Sequence, residues 1–294
     1  MPGAPASTSP GSLRGVSTDV TRRPTTAVRV GVWTGSEVRD RPDKIVTEEP
    51  MEIRLIGPSG TAEPLAVVMR TPGHDFELAV GFAITEGVIE TGADIAEVRY
   101  CLGPDAQQEY NVVTLATRHP VDLAGHQRSF VSGASCGVCG KQTLEELAVR
   151  CDPLGAGPSI PMSVVLELPT TLRTAQSVFD ATGGLHAAGL FSAEGVLGVV
   201  REDVGRHNAV DKIVGHLALN GGLPAATSGL VVSGRVSFEI VQKAARAGIT
   251  VLIAVSAPSS LAVATAERFG MTLVAFVRDG QANVYTGAHR IVAR

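Results

Sequence analysis

"SGLVVSGRVSFEIVQKAARAGITVLIAVSAPSSLAVATAERFGMTLVAFVR", Ser228 to Arg278, decides the fold. Three short apolar runs, "SGLVVSG", "ITVLIAVS" and "MTLVAFVR", alternate with two amphipathic patterns, "SFEIVQKAARAG" and "SSLAVATAERFG". Apolar strands between helices predict a mostly parallel sheet covered on both faces. The alternation extends upstream, where "TLRTAQSVFDA" and "HNAVDKIVGHLAL" read as helices and "GVLGVVRED" as a strand. Downstream, "ANVYTG" reads as a last edge strand.

Ligands of such sheets sit beyond the carboxyl ends of the strands. Those ends are "REDVGRHN", "SGRVSFE", "SAPSS" and "VRDGQ", all rich in polar residues or glycine. "REDVGRHNAVDK" is the densest polar run, with Glu202, Asp203, Arg206, His207, Asn208, Asp211 and Lys212 at a strand end and across a helix start. Capping by Asp203 or Asn208 accounts for one or two of these but not seven, which points to a ligand or catalytic site. Ser233, Gly234, Ser256, Ser259 and Ser260 fall in strand-to-helix turns beside Arg235. They suit phosphates through free backbone N–H groups, or are ordinary helix caps. "FVRDGQ", Phe276, Val277, Arg278, Asp279, Gly280 and Gln281, is either a hairpin turn at Asp279-Gly280 or a nucleotide contact at the same rim.

Upstream, "TAVRVGVWTG", "EEPMEIRLIG" and "LAVVMRTPGHDF" read as strands, the last buried and ending at Thr71-Pro72-Gly73. "DFELAVGFAITEGVI" reads as a helix with Leu78, Phe82 and Ile89 on one side, followed by strands in "EVRYCLGPD" and "YNVVTLATR". The division expected is a tail over 1–26, a β-rich subdomain over 27–128, a flexible loop with a helix ("KQTLEELAV") and linker over 129–158, and an α/β domain over 159–294.

The 294 residues are 44% hydrophobic, enough to bury a sizeable core. A net charge of −4 and only 4% aromatic residues argue against nucleic-acid binding. The most apolar stretch, "GITVLIAVSAPSSLAVA", is broken by Pro258 and three serines, so no bilayer-spanning run is expected. The Pro/Ser/Thr/Gly-rich start has no apolar core of a secretory signal and is expected to be disordered. With four cysteines, Cys101, Cys136, Cys139 and Cys151, a reducing cytoplasm is the expectation rather than a disulfide framework.

"GASCGVCGK", Gly133 to Lys141, sets Cys136 and Cys139 two apart among small residues. Cysteine reacts or ligates as the thiolate, and Lys141 with the helix start behind the pair would stabilise negative sulfur. Three chemistries fit. Structural zinc needs two further ligands, for which Cys151 and His186 are candidates. A redox dithiol suits a thioredoxin-like unit, which glycine-rich surroundings fit poorly. A sulfur carrier needs an exposed thiolate on a loop that visits two partners, which they fit well. In "TGGLHAAGLF", His186 stands where zinc deaminases place H-x-E, but the position two residues on is Ala188, which cannot move a proton.

Five blocks, "SGASCGVCGK", "TGGLHAAGLF", "EDVGRHNAVDK", "VVSGRVSFEIVQKA" and "TPGHDFELAVGF", closely resemble the FdhD family of accessory sulfurtransferases needed for active formate dehydrogenase. The resemblance implies a cytidine-deaminase-like three-layer domain with a mixed sheet, plus the smaller β-rich subdomain, paired as a homodimer without deaminase activity. It implies that a cysteine desulfurase loads sulfur on the CxxC loop as a persulfide, with Cys136 the carrier and Cys139 its helper. The sulfur then passes to a molybdenum (or tungsten) bis-guanine-dinucleotide cofactor, a bound substrate, with no permanently held metal. Phe276 to Gln281 become part of the dinucleotide site, joined at the rim by His186, Arg206, His207, Ser233 and Arg235. The alternative is a zinc-stabilised nucleotide-binding module without sulfur chemistry.

Overall fold

The computed structural model describes residues 22–101, 110–121 and 151–293. It opens with an antiparallel hairpin, β1 (Thr25–Thr34) and β2 (Glu37–Val46), turned at Gly35 with φ 64°. Six charged residues and Pro42 in "EVRDRPDKIV" hide β2 from a reading based on apolar alternation. β3 (Glu49–Ile56), β4 (Ala62–Arg70), β5 (Ile95–Tyr100) and β6 (Val112–Thr117) then form a sheet in the order β4-β3-β6-β5. Met51, Ile53, Leu55, Val113 and Leu115 line its buried face. β4, expected to be buried, is an edge strand whose Val67 and Met69 are exposed.

The helix after β4 is α1 (Asp75–Thr85), which ends before Ile89. It is buried on nearly all sides, as a helix between layers must be. Its sharp start is held by Arg70, which is fully buried and bonds both carboxylate oxygens of Asp75 (3.1 and 2.9 Å).

The C-terminal part comprises β7 (Ile160–Pro161), α2 (Met162–Thr174), α3 (Ser177–Thr182), β8 (His186–Phe191), β9 (Leu197–Asp203) and α4 (Arg206–Leu219). β10 (Gly229–Val232), α5 (Phe238–Arg246), β11 (Val251–Ala254), α6 (Ser260–Arg268), β12 (Thr272–Arg278) and β13 (Gln281–Thr286) follow, with a short β14 (Ile291–Val292) beside β7. The main sheet runs β13-β12-β11-β10-β8-β9. Only β10–β11 and β11–β12 are parallel, so the sheet is mixed rather than mostly parallel. The difference comes from β8, whose small "HAAGLF" carries little strand signal yet pairs antiparallel with both neighbours. The expected helix "TLRTAQSVFDA" is two helices. α2 starts earlier and runs through Pro169, held on the sheet by Val165, Leu168 and Leu172, and the chain breaks at Ala175-Gln176 before α3.

Alternate residues of the central strands supply the two faces. Leu230, Val232, Leu252, Ala254, Leu273 and Ala275 pack with α4, α5 and α6, while Val231, Val251, Ile253 and Val274 pack under α2. This is a three-layer α/β unit. α1 packs most extensively on α4. They cross at two glycines: a Cβ on Gly81 would stand 1.8 Å from the Asp211 carbonyl oxygen, and one on Gly215 1.8 Å from that of Glu77. One core therefore runs from the four-stranded sheet through α1 and α4 to the six-stranded sheet.

Candidate functional site

The sheet order gathers the sequence-selected residues along one rim. β8 starts there at His186, opposite the end of β9 at Asp203, while β10, β11 and β12 finish there. Beyond the strands the loops stay stitched together. Ser233 donates its N–H to the Ala187 carbonyl (3.0 Å), and its hydroxyl accepts from the Ala187 N–H (2.9 Å). Val236 donates to Ala257 (3.0 Å), Ser259 to Val236 (2.9 Å) and Phe276 to Ser256 (3.3 Å).

Most of "REDVGRHNAVDK" holds the fold. Glu202 accepts from the Val178 and Phe179 N–H groups (3.0 and 2.8 Å) and so caps α3. Asp203, fully buried, accepts from the N–H groups of Thr71 (3.1 Å) and Gly205 (2.8 Å), from Asn208 Nδ2 (2.9 Å) and from Lys212 Nζ (2.7 Å). Asn208 also donates to the Met69 carbonyl (2.7 Å), and Lys212 to that of Thr71 (3.0 Å). Asp211 accepts from Thr85 Oγ1 (2.7 Å) and Lys243 Nζ (3.0 Å). Burial alone would lower the lysine's pKa, but Asp211 and Glu86 hold Lys243 above the ordinary lysine range. Four of the seven polar residues thus tie α4 to neighbouring elements, and Glu202 ties β9 to α3. Arg206 and His207, in the first turn of α4, remain for the rim.

His186, Arg206 and Gly234 converge there. A Cβ on Gly234 would lie 3.2 Å from His186 Nδ1 and 3.6 Å from Arg206 Cβ, so glycine leaves room for both side chains. Arg206 Nε is buried and has no hydrogen-bond partner among the described residues, and Arg235 beside it is exposed. Burial, with the charges of Arg206 and Arg235, lowers the pKa of His186. His207 Nε2 lies 3.2 Å from Ser237 Oγ and 3.7 Å from Glu239. Burial, then Arg206 and Lys243, pushes His207 down to about 4. Near neutral pH both imidazoles are uncharged hydrogen-bonding groups beside two guanidiniums. An anion with several acceptor oxygens fits this set, and the unpaired Nε is a donor such a ligand would satisfy.

Along the rim, Phe276 and Asp279 lie in left-handed backbone (φ 54° and 52°), as does Gly280 (φ 72°). Positive φ at both Asp279 and Gly280 is the geometry of a tight hairpin between β12 and β13. At Phe276 it is strained backbone in a bulge, a feature that tends to collect at ligand sites. Val277 is buried against the α2 layer, whereas Arg278, Asp279, Gly280 and Gln281 are exposed and the Arg278 guanidinium lies 5.6 Å from the Phe276 ring centre.

Cys136 and Cys139 lie outside the described residues, as do residues 1–21 of the expected tail over 1–26 and residues 129–150 of the expected loop, helix and linker over 129–158. The described chain stops at Val121 and resumes at Cys151, both packed against the main core. Burial pushes the Cys151 thiol up to about 11, which disfavours the thiolate. Among the described residues no three His, Cys, Asp or Glu side chains are grouped to hold a metal ion, and no helix is long and apolar enough to cross a membrane. Sequence reasoning missed the cluster around Glu77, which accepts from Arg201 Nη2 (2.7 Å), with His216 Nδ1 at 3.0 Å and His74 Nδ1 at 3.4 Å. Its members come from four separate elements or turns, and only the block "TPGHDFELAVGF", which holds His74 and Glu77, hinted at it.

The model of the FdhD/NarQ family matches residues 46–292. The chain is 50% identical over 272 residues to the sulfur carrier protein FdhD of Mycolicibacterium paratuberculosis, covering 90% of this chain and 97% of that one. It is 49% identical over 264 residues to that of Streptomyces coelicolor (87% and 92% covered) and 40% over 256 residues to that of Saccharolobus solfataricus (87% and 94% covered). A crystal structure from Desulfotalea psychrophila, described as a formate dehydrogenase accessory protein, superposes with TM-score 0.72 at 24% identity, over 92% of this chain and all of that one. At that identity it supports the fold.

Proposed function

The chain belongs to the FdhD/NarQ family, and from that premise we propose that it is a cytoplasmic sulfur carrier serving formate dehydrogenase. A cysteine desulfurase presents a persulfide, and the Cys136 thiolate attacks its outer sulfur. The new S–S bond forms as the desulfurase thiolate leaves, so the step is neutral in electrons. The Cys139 thiolate then attacks the inner sulfur on Cys136, so that a Cys136–Cys139 disulfide forms as the outer sulfur leaves at the sulfide level for a molybdenum bis-guanine-dinucleotide cofactor bound as substrate, and a thiol reductant restores the pair.

Residues at the rim suit that substrate's phosphates. Arg206 carries a buried donor unpaired among the described residues, Arg235 is exposed beside it, and His186 and His207 are neutral donors or acceptors. Ser233 keeps the turn after β10 in place, and Phe276 to Gln281, with strained backbone at Phe276, lie farther along the rim beyond the β11 turn for the guanine-dinucleotide portion. Two such chains act as a homodimer.

The observation that carries this reading is half-identity across nine-tenths of the chain to a protein named as a sulfur carrier, in a sequence that holds "SCGVCGK". The test is intact-mass spectrometry after incubation with a cysteine desulfurase and cysteine. The wild-type chain should gain the mass of one sulfur atom, labile to cyanide, and Cys136→Ala should gain none while keeping its melting temperature. Undiminished cyanide-releasable sulfur on that variant would overturn the assignment.

A further inference from the structure

We propose that the outer edge of β1, which pairs with no other strand among the described residues, is the docking edge for a second copy of this chain, the two hairpins joining β1 to β1 in one antiparallel four-stranded sheet. The proposal deepens the pairing named above and rests on that part of the reading alone. It does not depend on sulfur chemistry, so the two can fail separately.

The hairpin is the least supported part of the described chain. Its contacts with the body gather at the base, where β2 meets α3, Val46 lies against Gly184, and Arg22 pairs with Glu49. All six residues from Glu37 to Pro42 are exposed. Near the tip, Trp33 is 72% exposed and Val38, opposite it, 48%. A lone two-stranded ribbon is marginal in water, and two strands more would make it an independent sheet.

The two edges of the ribbon differ. Thr47 donates its N–H to the Pro24 carbonyl (2.9 Å), which sets the alternation of the antiparallel ladder. Even-numbered residues of β1 exchange bonds with β2. Thr25, Ala27, Arg29, Gly31 and Trp33 therefore turn N–H and C=O groups to the outside. On β2 the outward positions are Val38, Asp40, Pro42, Lys44 and Val46. Pro42 has no N–H to offer, and charged residues surround it, which is how a strand edge is protected from pairing. β1 has no such guard. Its "TTAVRVGVWT" holds one charge, Arg29, among three valines and a tryptophan.

The sequence of β1 suits a twofold partner. Antiparallel self-pairing centred on Val30 sets Val28 against Val32, Ala27 against Trp33 and Arg29 against Gly31, each pair occurring twice by symmetry. The sole charge never opposes itself, and the central Val30 pair falls at a closely spaced position where side chains meet. Both copies keep their charged β2 strands at the outer edges, so pairing stops at two chains.

The test uses the full-length chain and its single tryptophan, Trp33, as reporter. Sedimentation velocity at mid-micromolar concentration should give a dimer, and dilution should shift tryptophan emission to the red as monomers form. Arg29→Pro removes an outward N–H while sparing the hairpin's own ladder, and should be monomeric with red-shifted emission. Asp40→Pro, at an outward position of β2, should remain dimeric. Hydrogen exchange on wild type gives a readout independent of any variant: the outward amides of 25, 27, 29, 31 and 33 should be protected in the dimer and exchange at least tenfold faster on dilution. A monomer at all concentrations, a dimer that Arg29→Pro leaves intact, or β1 protection that appears only with a different protein bound would each overturn the proposal.

Discussion

At the scale of the residue, the rim is organised by what its charges lack. Arg206 presents a buried Nε without a partner among the described residues, an arrangement that costs stability until an acceptor arrives. With GDP as probe, Arg206→Ala should weaken binding about tenfold, the loss expected for one charge-assisted hydrogen bond. Arg206→Lys should recover part of it, since the charge returns without the Nε fork. Titration calorimetry reads both, and equal affinity for wild type and Arg206→Ala would remove this residue from the site. Single residues were the hardest to read beforehand. Asp203, Asn208 and Lys212 look like active-site chemistry because they are polar and crowded, yet they bond one another and the turn after β4. Nothing in their own spacing announces that Thr71 sits among them.

At the scale of the element, helix crossing sets the tolerance of the fold. Gly81 and Gly215 let α1 and α4 touch backbone to backbone, and a methyl group at Gly81 would force the helices apart. Gly81→Ala should cost about 1–3 kcal/mol in urea unfolding, as overpacked cores do. Gly57→Ala, at an open position, serves as the near-neutral comparison. The parallel core of the sheet was readable because β10, β11 and β12 are continuous apolar runs between helices. β8 and β2 were not, one being too small in its side chains and the other too charged. α2 was read too late because a helix is not expected to run through Pro169.

At the scale of the whole molecule, acid should loosen the fold in a definite window. His207 falls from an ordinary 6.5 to about 4, with Ser237, Glu239, Arg206, Lys243 and Glu86 around it. Between those values the unfolded chain binds the extra proton, so stability rises with pH and is lost as pH falls from about 6.5 towards 4. The contribution is at most about 3 kcal/mol, at about 1.4 kcal/mol per pKa unit. Glu77 acts in the same direction lower down: burial would raise its pKa, but Arg201 reverses this and holds it below 4.5. Thermal melts of His207→Asn from pH 4 to 6.5 should show a flatter slope than wild type. The cluster of rim residues was foreseen because strand ends of an α/β sheet share one side, whereas the thiol segment leaves and rejoins the core at Val121 and Cys151. Those two anchor points, with hydrophobic packing continuous from Met51 to Ala275, carry a last consequence. A protease cut between them would not separate the halves. The nicked molecule would stay clasped as a complementing pair, with the cysteines carried on a severed end.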